Sequence, residues 1–487
     1  MNINLTSEKF RKIHKNKKNQ IIFLKVDCKN NKIIENLISN FLKKKDSFIF
    51  ESVEKRRIRG RYTILGADPD KIWEFSNQKI NLIHNNKKKL IHEKPYPFLR
   101  KLIEDFKFPL PKNIPSLCSL LVGYFSYDII RYIEKIPNSC IDDLKIPDVR
   151  LMRPKTIIIH DNILKKIYFI INVFADEKIK NYEIFYHKQI EKIKNLKYLA
   201  FKSNANNKIK RNKSKNNAVK SNISKNNFKK MILKAKEYIK KGDIFQVVLS
   251  QRFESKLTKT PLEIYKKLRI KNPSPFMFFF NFKDFQIIGS SPEILVRLRN
   301  NKITIRPIAG TRPRGKNFKE DAYYKKQLLN DKKELSEHLM LLDLGRNDVG
   351  KVAKINTIKV TEKFKIEKYS HVMHIVSNVE GNFDNRNLLL DTMFAGFPAG
   401  TVTGAPKIRA MEIIDELEKN KRKMYAGSIG YFSANSSFDT CIALRTALIK
   451  NNKFYIQSGA GIVADSKPES EYLETVNKAK ALIQSLN

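Results

Sequence analysis

The chain has 487 residues, a length that predicts roughly two domains rather than one small core. Its hydrophobic share of 41% suits a globular protein, and its formal net charge of +46 would ordinarily suggest a nucleic-acid partner. The lysines, however, are spread along the whole chain beside abundant asparagine and isoleucine. No zinc-finger, homeodomain or RNP1-like pattern accompanies them, so we expect compositional drift and no specific nucleic-acid binding.

Four cysteines lie far apart in the sequence without a CxxC pair, and they are Cys28, Cys118, Cys140 and Cys441. This spacing predicts reduced thiols, a cytoplasmic location and no structural zinc. The N-terminal stretch lacks the apolar core of a signal peptide, and no apolar run reaches membrane-spanning length. We therefore expect a soluble protein with no membrane partner.

The first part of the chain, residues 1–200, mixes short strand-like runs with helical pieces and predicts an N-terminal α+β domain. The strand-like runs are Ile21–Val26, Phe48–Phe50, Ile157–His160 and Ile167–Val173. Residues 201–227 contain seven lysines, one arginine and no acidic residue. With almost nothing to bury, this stretch predicts a disordered basic linker or insertion.

Residues 228–487 show a sharper pattern and predict a second domain. One helical face runs from Phe228 to Ile239, a long helix is predicted at Asp321–Leu342, and a final helix begins near Pro468. The predicted strands between them are Ile244–Phe253, Phe276–Phe282, Phe285–Gly289, Ile294–Arg299, Lys302–Arg306, Ile358–Ile366, His371–Val379, Ser428–Ser433, Thr440–Ile449 and Phe454–Ile462. Antiparallel strands broken by a few long helices favour packed sheets with helices outside, an α+β or sandwich-like core.

The stretch GFPAGTVTGAPKIRAMEIIDELE, residues 396–418, places glycines and prolines directly before an amphipathic helix. Pro406 suits the first helical turn, and the predicted apolar stripe comprises Ile408, Met411, Ile413, Ile414 and Leu417. Ahead of it, Thr401 and Gly404 offer a hydroxyl and a free N–H beside a positive helix end, which suits an anion. An ordinary glycine turn that caps a buried helix explains the stretch equally well.

Two acidic pairs, Glu334 with Glu337 and Glu471 with Glu474, are spaced three residues apart on predicted helices. This spacing projects both carboxylates of a pair from one helical face. Four converging carboxylates without a histidine ligand would make an oxygen site suited to Mg²⁺. Solvated surface glutamates are the alternative interpretation, because most charged side chains face water.

Three further residues are candidates for a catalytic or binding role. Glu293 follows a strand end, His374 lies in an alternating strand segment, and Arg445 lies within the predicted strand CIALRTA. A buried arginine requires an anion, which can be a protein carboxylate or a substrate carboxylate. Taken alone, each of the three residues could be structural.

Five blocks of sequence in order resemble the chorismate-utilising enzymes, and more narrowly the anthranilate synthase component I family. The blocks are IRPIAGTRPRG at 305–315, EHLMLLDLGRND at 337–348, YSHVMHIVSNVEG at 369–381, GFPAGTVTGAPKIRAMEII at 396–414 and GAGIVADSKPESEYLETVNKAKAL at 459–482. The resemblance covers essentially all of 228–487 and, more loosely, 45–70 and 117–132. It implies an α+β fold of two orthogonally packed antiparallel sheets with helices outside, and a chorismate-binding catalytic domain at 228–487.

The resemblance also implies a Mg²⁺ site and a substrate pocket. Glu337 and Glu474 would bind the metal, and Glu334 and Glu471 would hold its water shell. The implied substrate-binding residues are Gly310, Thr311, Thr401, Gly404, Tyr425, Arg445, Gly459, Ala460 and Gly461. Arg445 would hold the carboxylate of the enolpyruvyl arm, which agrees with the anion interpretation of the glycine-rich stretch.

By the same resemblance, Glu293 would be the acid that protonates the departing C4 hydroxyl, and His374 would assist loss of pyruvate by moving a proton from C2. Such an acid needs a pKa raised by its surroundings. The family's tryptophan pocket, which makes the enzyme subject to feedback inhibition, would correspond to Glu51, Ser52, Pro275, Phe276 and Met277. Here the family's NPSPYM element has become NPSPFM.

Two positions decide the branch within the family. Aminodeoxychorismate synthases carry a nucleophilic lysine where this chain has Ala309, and relatives that add water carry a lysine base where it has Gln246. Alanine cannot form the covalent adduct that the nucleophilic lysine forms, and glutamine cannot act as the base that activates water. Ammonia is already nucleophilic and needs only to be positioned for attack. The resemblance therefore implies that chorismate and ammonia react to give anthranilate and pyruvate, the first step of tryptophan biosynthesis. The aminodeoxychorismate and isochorismate or salicylate branches are the alternatives.

The chain has no GxCxGxQ-like nucleophile turn of its own for glutamine hydrolysis. The resemblance therefore implies a separate glutamine amidotransferase subunit, in a heterotetramer of two large and two small subunits. Two other classes are a nucleic-acid-binding protein, which would show a steep salt dependence of binding, and a catalytically dead regulatory relative. The second is contradicted by the retained glutamates.

Overall fold

A computed structural model describes residues 3–30, 32–52, 60–202, 219–369 and 372–486. These ranges contain the following helices: α1 Ser7–Lys15, α2 Lys32–Phe41, α3 Pro95–Asp105, α4 Tyr182–Phe201, α5 Lys225–Lys240, α6 Pro261–Lys271, α7 Phe318–Asn330, α8 Lys332–Gly350, α9 Leu389–Ala395, α10 Gly400–Thr403, α11 Lys407–Leu417 and α12 Pro468–Leu486. Short 3₁₀ turns lie at Ser116–Cys118 and Tyr127–Tyr132. Among the helices of these ranges, none combines the length and apolar character needed to cross a membrane.

The strands of the described ranges pair antiparallel throughout the named ladders, apart from one isolated parallel bridge. They are β1 Gln20–Asp27, β2 Ser47–Glu51, β3 Tyr62–Ser76, β4 Lys79–His84, β5 Lys87–Ile91, β6 Leu120–Phe125, β7 Val149–Asp161, β8 Lys166–Val173, β9 Lys220–Ser221, β10 Gln246–Lys256, β11 Phe276–Asn281, β12 Gln286–Ser291, β13 Ile294–Arg299, β14 Lys302–Ile305, β15 Ile308–Pro313, β16 Lys359–Lys368, β17 Val372–Asn382, β18 Gly404–Ala405, β19 Ser428–Ser433, β20 Phe438–Ile442, β21 Thr446–Lys450 and β22 Lys453–Ile462. The α+β class predicted from the sequence is confirmed.

Two long strands, β3 and β7, take part in both halves of the strand network. Their ends at 62–66 and 156–161 lie in one run of pairings, β1-β8-β7-β3-β2-β11-β12-β21-β22-β10. Their other ends lie in a second run, β5-β4-β3-β7-β6-β19-β20-β13-β14-β17. A register shift between Pro69 and Lys71 marks the change, as expected where an irregularity redirects a strand.

Both runs combine strands from before and after residue 200. Strand β2 pairs with β11, so that Glu51 lies opposite Met277, and β6 pairs with β19. The N-terminal strands are therefore hydrogen-bonded into the same sheets as the C-terminal ones. A division into domains at 1–200 and 228–487 stays a prediction.

Alternating side chains fill cores on both faces of the strands, as the two-residue period of a strand requires. Phe278 and Phe280 of β11 share one buried cluster with Val122 and Tyr124 of β6, so this cluster receives side chains from both runs. On the opposite face of β11, Phe279 joins a second cluster with residues of α2 and α6. Helices thus cover the outer side, and the right-angle crossing of two sheets stays a prediction.

The basic stretch predicted at 201–227 is ordered at both ends. Phe201 is the last residue of α4, Lys220–Ser221 pairs with β10, and the Ser224 side chain caps α5 at the backbone N–H of Asn227. Capping and strand pairing satisfy backbone groups that the lysine-rich composition alone does not predict. Residues 203–218 of the predicted linker lie outside the described residues.

Three local predictions near the site need correction. The single helix predicted at Asp321–Leu342 is two helices, because the Asp331 side chain accepts the N–H groups of Lys333 and Glu334 and starts α8. Pro406 is the residue before α11 rather than within its first turn. Ile408, predicted in the apolar stripe, is 42% exposed, whereas Met411 of the same stripe is 2% exposed.

Candidate active site

Distant motifs meet around the start of β10. This strand pairs along its length with β22, and its first residue, Gln246, lies opposite Ala405 of β18. Helix α8 packs on β15 and β17, and α12 packs on β22. Residues from the blocks at 305–315, 337–348, 369–381, 396–414 and 459–482 are thereby brought to one region.

Glu293 is buried immediately after β12, 5% exposed. Burial raises its pKa to about 8, against smaller lowering influences from the Thr401 hydroxyl, the Ile308 backbone and the Arg445 charge. The Thr401 hydroxyl donates to its Oε1 at 3.2 Å. The carboxyl is therefore largely protonated at neutral pH, and it can donate a proton.

His374 lies on β17 beside β15, opposite Thr311. Its Nδ1 is 2.8 Å from the Gly310 carbonyl oxygen and 3.2 Å from the Thr311 hydroxyl. A carbonyl only accepts, so Nδ1 carries the proton and Nε2 is left as the basic nitrogen. Burial lowers the pKa of His374 to about 4, with the charges of Arg445 and Lys478 lowering it further. At neutral pH the ring is neutral and can accept a proton.

Arg445 lies in a break between β20 and β21 rather than in one continuous strand, which corrects the predicted strand Thr440–Ile449. Its φ of +48° lies in the left-handed region, where a residue with a side chain is uncommon, and the two strands end on either side of it. Burial lowers the pKa of its guanidinium. Within the described residues it forms no ion pair, so its charge is available to an anion.

Backbone and ring atoms come close together on the β22 side of the region. A Cβ on Gly459 would lie 2.6 Å from the Tyr425 hydroxyl, and one on Gly461 would lie 2.6 Å from the Gln246 side-chain nitrogen. Ala460, between them, is fully buried opposite Leu249. The two glycines therefore allow Tyr425 and Gln246 to approach the strand.

The turn before α11 is held in place by a buried ion pair. Arg422 donates to the Val402 carbonyl at 2.7 Å and pairs with Glu418 at 2.6 Å. Glu418 also accepts the backbone N–H and hydroxyl of Ser250 at 2.8 and 2.7 Å. This pair was not predicted from the sequence. Its one local signal is that Arg422 follows Glu418 by four residues, just after the end of α11.

Glu337 on α8 is partly buried, as are Glu334 and Glu471, whereas Glu474 is exposed. Gln246 Nε2 donates to its Oε1 at 3.1 Å. Burial raises the pKa of Glu337, and the neighbouring charges of Glu334 and Glu474 raise it further. Burial likewise raises the pKa of Glu471, with a contribution from Glu474. The two acidic pairs, on α8 and α12, therefore face each other closely enough to repel.

Protein cations neutralise this cluster only in part. Arg312 donates to Glu334 at 3.0 Å, and the Lys478 ammonium lies 2.6 Å from a Glu474 oxygen. No three acidic, histidine or cysteine side chains of the described residues stand close enough together to enclose a metal ion. The available donors are nevertheless all carboxylate oxygens, which a hard divalent cation prefers. Such a cation would also relieve the repulsion between Glu337 and the charges of Glu334 and Glu474. The residues fit Mg²⁺ in donor type and charge.

Ala309 and Gln246 occupy the two branch-deciding positions. Ala309 is 9% exposed on β15, opposite Ile375, and has no amine to offer. Gln246 is 3% exposed, and its side-chain oxygen finds no partner among the described residues. An ionised Glu337 has no proton to donate and can only accept a hydrogen bond. The Gln246 amide nitrogen is therefore assigned to the side that faces Glu337, and the amide oxygen faces away from it.

The residues of the predicted tryptophan pocket form a separate group on β2 and β11. Glu51 is 5% exposed and accepts from the Tyr265 hydroxyl and, at 2.7 Å, from Arg269 Nε. Met277 lies opposite Glu51 on the neighbouring strand, and Phe276 pairs with Ser291, two residues before Glu293. Ser52 and Pro275 flank the group, and the Ser52 hydroxyl has no partner among the described residues.

The fold and these motifs define a class of enzyme. The family model for chorismate-binding enzymes matches residues 45–484, so the chain belongs to the chorismate-binding enzyme family.

Similar proteins narrow the comparison within that family. The chain is 44% identical to anthranilate synthase component 1 of Cereibacter sphaeroides over 98% of this chain and 96% of the relative. It is 41% identical to the protein of that name from Aquifex aeolicus, covering 100% and 98% of the two chains. The crystal structure of anthranilate synthase component I from Streptococcus pneumoniae superposes with a TM-score of 0.78 at 36% identity, covering 88% of this chain and 94% of that one.

A more distant structure shares the fold alone. The menaquinone-specific isochorismate synthase from Escherichia coli has a TM-score of 0.70 at 17% identity and covers 99% of this chain and 100% of its own. The chain is thus similar over nearly its whole length to several proteins of one name, and a similar fold recurs in an enzyme of another.

Proposed function

We propose that this protein is the large, chorismate-converting component of anthranilate synthase. It converts chorismate and ammonia into anthranilate, pyruvate and water. The observation that carries the proposal is the buried Glu293, whose pKa is raised to about 8 and which lies beside Thr401 and within reach of the Arg445 charge. A protonated acid next to an anion-binding cation suits departure of a hydroxyl from a dicarboxylate substrate.

Substrate binding begins with the two carboxylates of chorismate. Arg445, which has no ion-pair partner among the described residues, holds the carboxylate of the enolpyruvyl arm. Thr401, Gly404 and Tyr425 line the pocket with the strand segment 459–461. The close approach of Tyr425 and Gln246 to the glycines of β22 supports a pocket that excludes water from the reacting ring.

The first chemical step is attack of ammonia at C2, with departure of the C4 hydroxyl. Glu293 gives its proton to that hydroxyl, which leaves as water, and its high pKa keeps the proton available at neutral pH. The added nitrogen releases its surplus proton to solvent, which leaves the amine. Ala309 offers no competing amine, and Gln246 provides no base that would activate water instead. Both residues support the ammonia branch over the aminodeoxychorismate and isochorismate branches.

The second step is loss of pyruvate. His374 accepts the C2 proton through Nε2, because Nδ1–H is held by the Gly310 carbonyl at 2.8 Å. The electrons of the C–H bond then restore the aromatic ring as the enolpyruvyl C–O bond breaks, and the departing enolate takes up a proton at its methylene carbon to give pyruvate. The lowered pKa of His374 keeps the imidazole neutral, and therefore able to act as the acceptor, at neutral pH.

The proposal includes Mg²⁺ at the acidic cluster. When bound there it would neutralise the ring carboxylate of chorismate. Glu337 and Glu474 are the residues that would bind it, and Glu334 and Glu471 would hold its water shell. Burial is the main cause of the raised pKa of Glu337 and of Glu471, and the neighbouring glutamate charges add to it; these charges support the assignment, because adjacent carboxylates favour a cation among them.

Product analysis tests the proposed function. Purified protein is incubated with chorismate, ammonium and Mg²⁺, and the products are identified by mass spectrometry and by anthranilate fluorescence. We expect anthranilate and pyruvate in equal amounts. Isochorismate, salicylate or 4-amino-4-deoxychorismate as the major product would place the chain in another branch.

Two further proposals concern partners. Glutamine is used only with a separate amidotransferase subunit, in a heterotetramer of two large and two small chains. Tryptophan, the end product, binds at the group formed by Glu51, Ser52 and residues 275–277 and inhibits the enzyme. The pairing of Phe276 with Ser291, close to Glu293, supports a direct route between the two sites.

A further inference from the structure

His374, the proposed acceptor of the C2 proton, is held by hydrogen bonds at the Nδ1 edge of its ring. Its Nδ1 lies 2.8 Å from the Gly310 carbonyl oxygen and 3.2 Å from the Thr311 hydroxyl. Both contacts meet the same ring atom, so they set the tautomer but leave the ring able to turn about that atom. The direction of Nε2, which must face the substrate, therefore needs a contact on another side of the imidazole.

Tyr369 supplies such a contact. It is the residue directly after β16, the strand that pairs with β17, and its half-buried ring lies against the imidazole of His374. The two ring centroids are 5.5 Å apart and the ring planes meet at 63°, an edge-to-face arrangement. Aromatic rings attract at this separation and prefer this geometry to a face-to-face stack. The tyrosine ring therefore limits rotation of the imidazole about its Nδ1 bond.

Tyr369 is itself fixed at the tip of its side chain and at its backbone. Its hydroxyl donates to Glu367 at 2.9 Å, and Arg306 donates to the same carboxylate at 2.6 Å. Its carbonyl accepts from Arg314 at 2.7 Å, and its N–H donates to the Val372 carbonyl at 2.8 Å. A ring anchored at both ends has little freedom to move, so it can act as a rigid stop for its neighbour.

The phenol of Tyr369 also acts on the proposed substrate-binding arginine. Burial lowers the pKa of Arg445, and the charges of Tyr369 and Glu293 act against that lowering. The tyrosine thus contacts His374 and lies within electrostatic reach of Arg445. In the proposed second step the proton leaves C2 while the enolpyruvyl arm leaves the adjacent carbon, so the proton acceptor and the cation that holds the arm must keep a fixed relative position.

We propose that Tyr369 is a positioning residue for the second chemical step, whose ring holds the His374 imidazole so that Nε2 faces the C2 proton of the aminated intermediate. Attack of ammonia and departure of the hydroxyl depend on Glu293 instead. The two steps should therefore respond differently to loss of the tyrosine ring. This inference deepens the proposed function and rests on the role given there to His374.

A single turnover separates the two steps. Protein in excess over chorismate is mixed with ammonium and Mg²⁺ and quenched at intervals. Mass spectrometry then follows the aminated intermediate, which still carries the enolpyruvyl arm, and anthranilate. In Tyr369→Leu we expect conversion of the intermediate to anthranilate to slow roughly tenfold, so that the intermediate accumulates, while chorismate is consumed within about twofold of the unmodified rate. Deuterium at C2 of chorismate should slow anthranilate formation more in this variant than in the unmodified protein, because removal of that proton then limits turnover.

Three further variants separate the position of the ring from general loss of packing. Tyr369→Phe keeps the ring and loses only the hydroxyl bond to Glu367, so the second step should stay within about threefold of the unmodified rate. Tyr369→Gln, a polar change suited to a half-buried position, should behave as Tyr369→Leu does. Tyr323→Leu, the matched control, changes a tyrosine of α7 that is 63% exposed and should leave both steps unchanged. The melting temperature of each variant shows whether it is folded.

Equal slowing of both steps in Tyr369→Leu and Tyr369→Gln, without accumulation of the intermediate, would overturn the inference, because lost packing alone has that effect. A normal second step in these two variants would also overturn it, as would a phenylalanine variant that behaves like the leucine variant. The proposed function fails by a different result, which is that the unmodified protein forms no anthranilate from chorismate and ammonium. If the unmodified protein forms anthranilate and no variant accumulates the intermediate, the inference fails and the proposed function stands.

Discussion

At the scale of single residues, the proposed acid Glu293 and the proposed base His374 predict the pH range of the reaction. Glu293 has a pKa of about 8 and His374 a pKa of about 4, both shifted mainly by burial. The acid is in its protonated form below the first value and the base in its neutral form above the second.

The pH profile of kcat/KM follows from these two groups. We expect activity to fall as pH rises through about 8 and, where the fold survives, as pH falls through about 4. Glu293→Gln should lower kcat by at least roughly a hundredfold and abolish the alkaline limb in any residual activity. An unchanged alkaline limb in this variant would assign that limb to another group.

The same substitution should not weaken the fold. The folded pKa of Glu293 is raised from 4.5 to about 8, so the folded chain holds a proton that the unfolded chain loses above 4.5. The stability this contributes is fully present below 4.5 and is lost as pH rises through about 8. The side chain of Glu293→Gln cannot ionise. Between about pH 5 and pH 8, the free energy of urea unfolding should therefore fall less for this variant than for the unmodified protein.

The metal assignment is tested at Glu337. Glu337→Gln keeps the volume and removes the charge that would hold Mg²⁺, so turnover should be lost while the circular-dichroism spectrum is retained. Glu237→Gln, an exposed glutamate on α5 paired with Lys234, is the control and should keep full activity. Mg²⁺-dependent turnover in Glu337→Gln would contradict the assignment.

At the scale of secondary-structure elements, helix α8 carries Glu337 on one residue and a buried histidine on the next. His338 is fully buried, and the Ser377 hydroxyl of β17 lies 2.7 Å from its Nε2. Ser377 also accepts the Phe364 backbone N–H at 3.1 Å, so one hydroxyl joins α8, β16 and β17. The contact fixes α8 against β17, and with it the position of Glu337.

This contact predicts an acid sensitivity of the fold. Burial lowers the pKa of His338 from 6.5 to about 4, so the unfolded chain takes up a proton first as pH falls. The stability from the neutral ring is fully present above 6.5 and is lost as pH falls through about 4. His338→Gln should reduce this loss by about 2 kcal/mol in urea unfolding measured from pH 7 down to pH 4. An identical pH dependence in both proteins would contradict it.

The ion pair between Arg422 and Glu418 supports the turn before α11 from within the core. Both side chains are almost fully buried, and Arg422 also donates to the Val402 and Val248 carbonyls at 2.7 and 2.6 Å. Arg422→Met leaves Glu418 buried without its cation and should cost about 3–5 kcal/mol of stability. The double variant Glu418→Met, Arg422→Met should cost less than the sum of the single variants. Additive costs would show that the pair is not coupled.

At the scale of the whole molecule, the two runs of strands tie the proposed regulatory group to the proposed active site. Strand β11 pairs with β2, which carries Glu51, and with β12, which leads to Glu293. Tryptophan bound near Glu51 can therefore act on the acid through one hairpin. Such coupling is reciprocal, so tryptophan and chorismate should weaken the binding of each other.

Tryptophan binding gives a prediction at this scale. Tryptophan at millimolar concentration should inhibit the unmodified protein and raise its melting temperature. Glu51→Gln loses the charge that Arg269 contacts at 2.7 Å and should weaken both effects while turnover without tryptophan persists. If tryptophan changes neither activity nor melting temperature of the unmodified protein, the proposed group is not a working site.

The sequence by itself determined the chemistry that the chain carries. The ordered motifs identified Glu293, His374, Arg445 and the paired glutamates as candidates, and alternation of apolar residues located strands such as β1, β8 and β22. These features depend on residue type and local spacing, which the sequence states directly. The α+β class followed from the same local patterns.

Only the tertiary structure decided how these groups are tuned. The pKa of Glu293 depends on burial by residues distant in sequence, and the break at Arg445 depends on the strands that end beside it. The sharing of β3 and β7 between two runs of strands is likewise a long-range pairing. The contact between the Lys478 ammonium and the Gly459 carbonyl likewise exists only because α12 packs on β22. Burial and electrostatic fields arise from contacts between distant segments, and local sequence patterns do not encode those contacts.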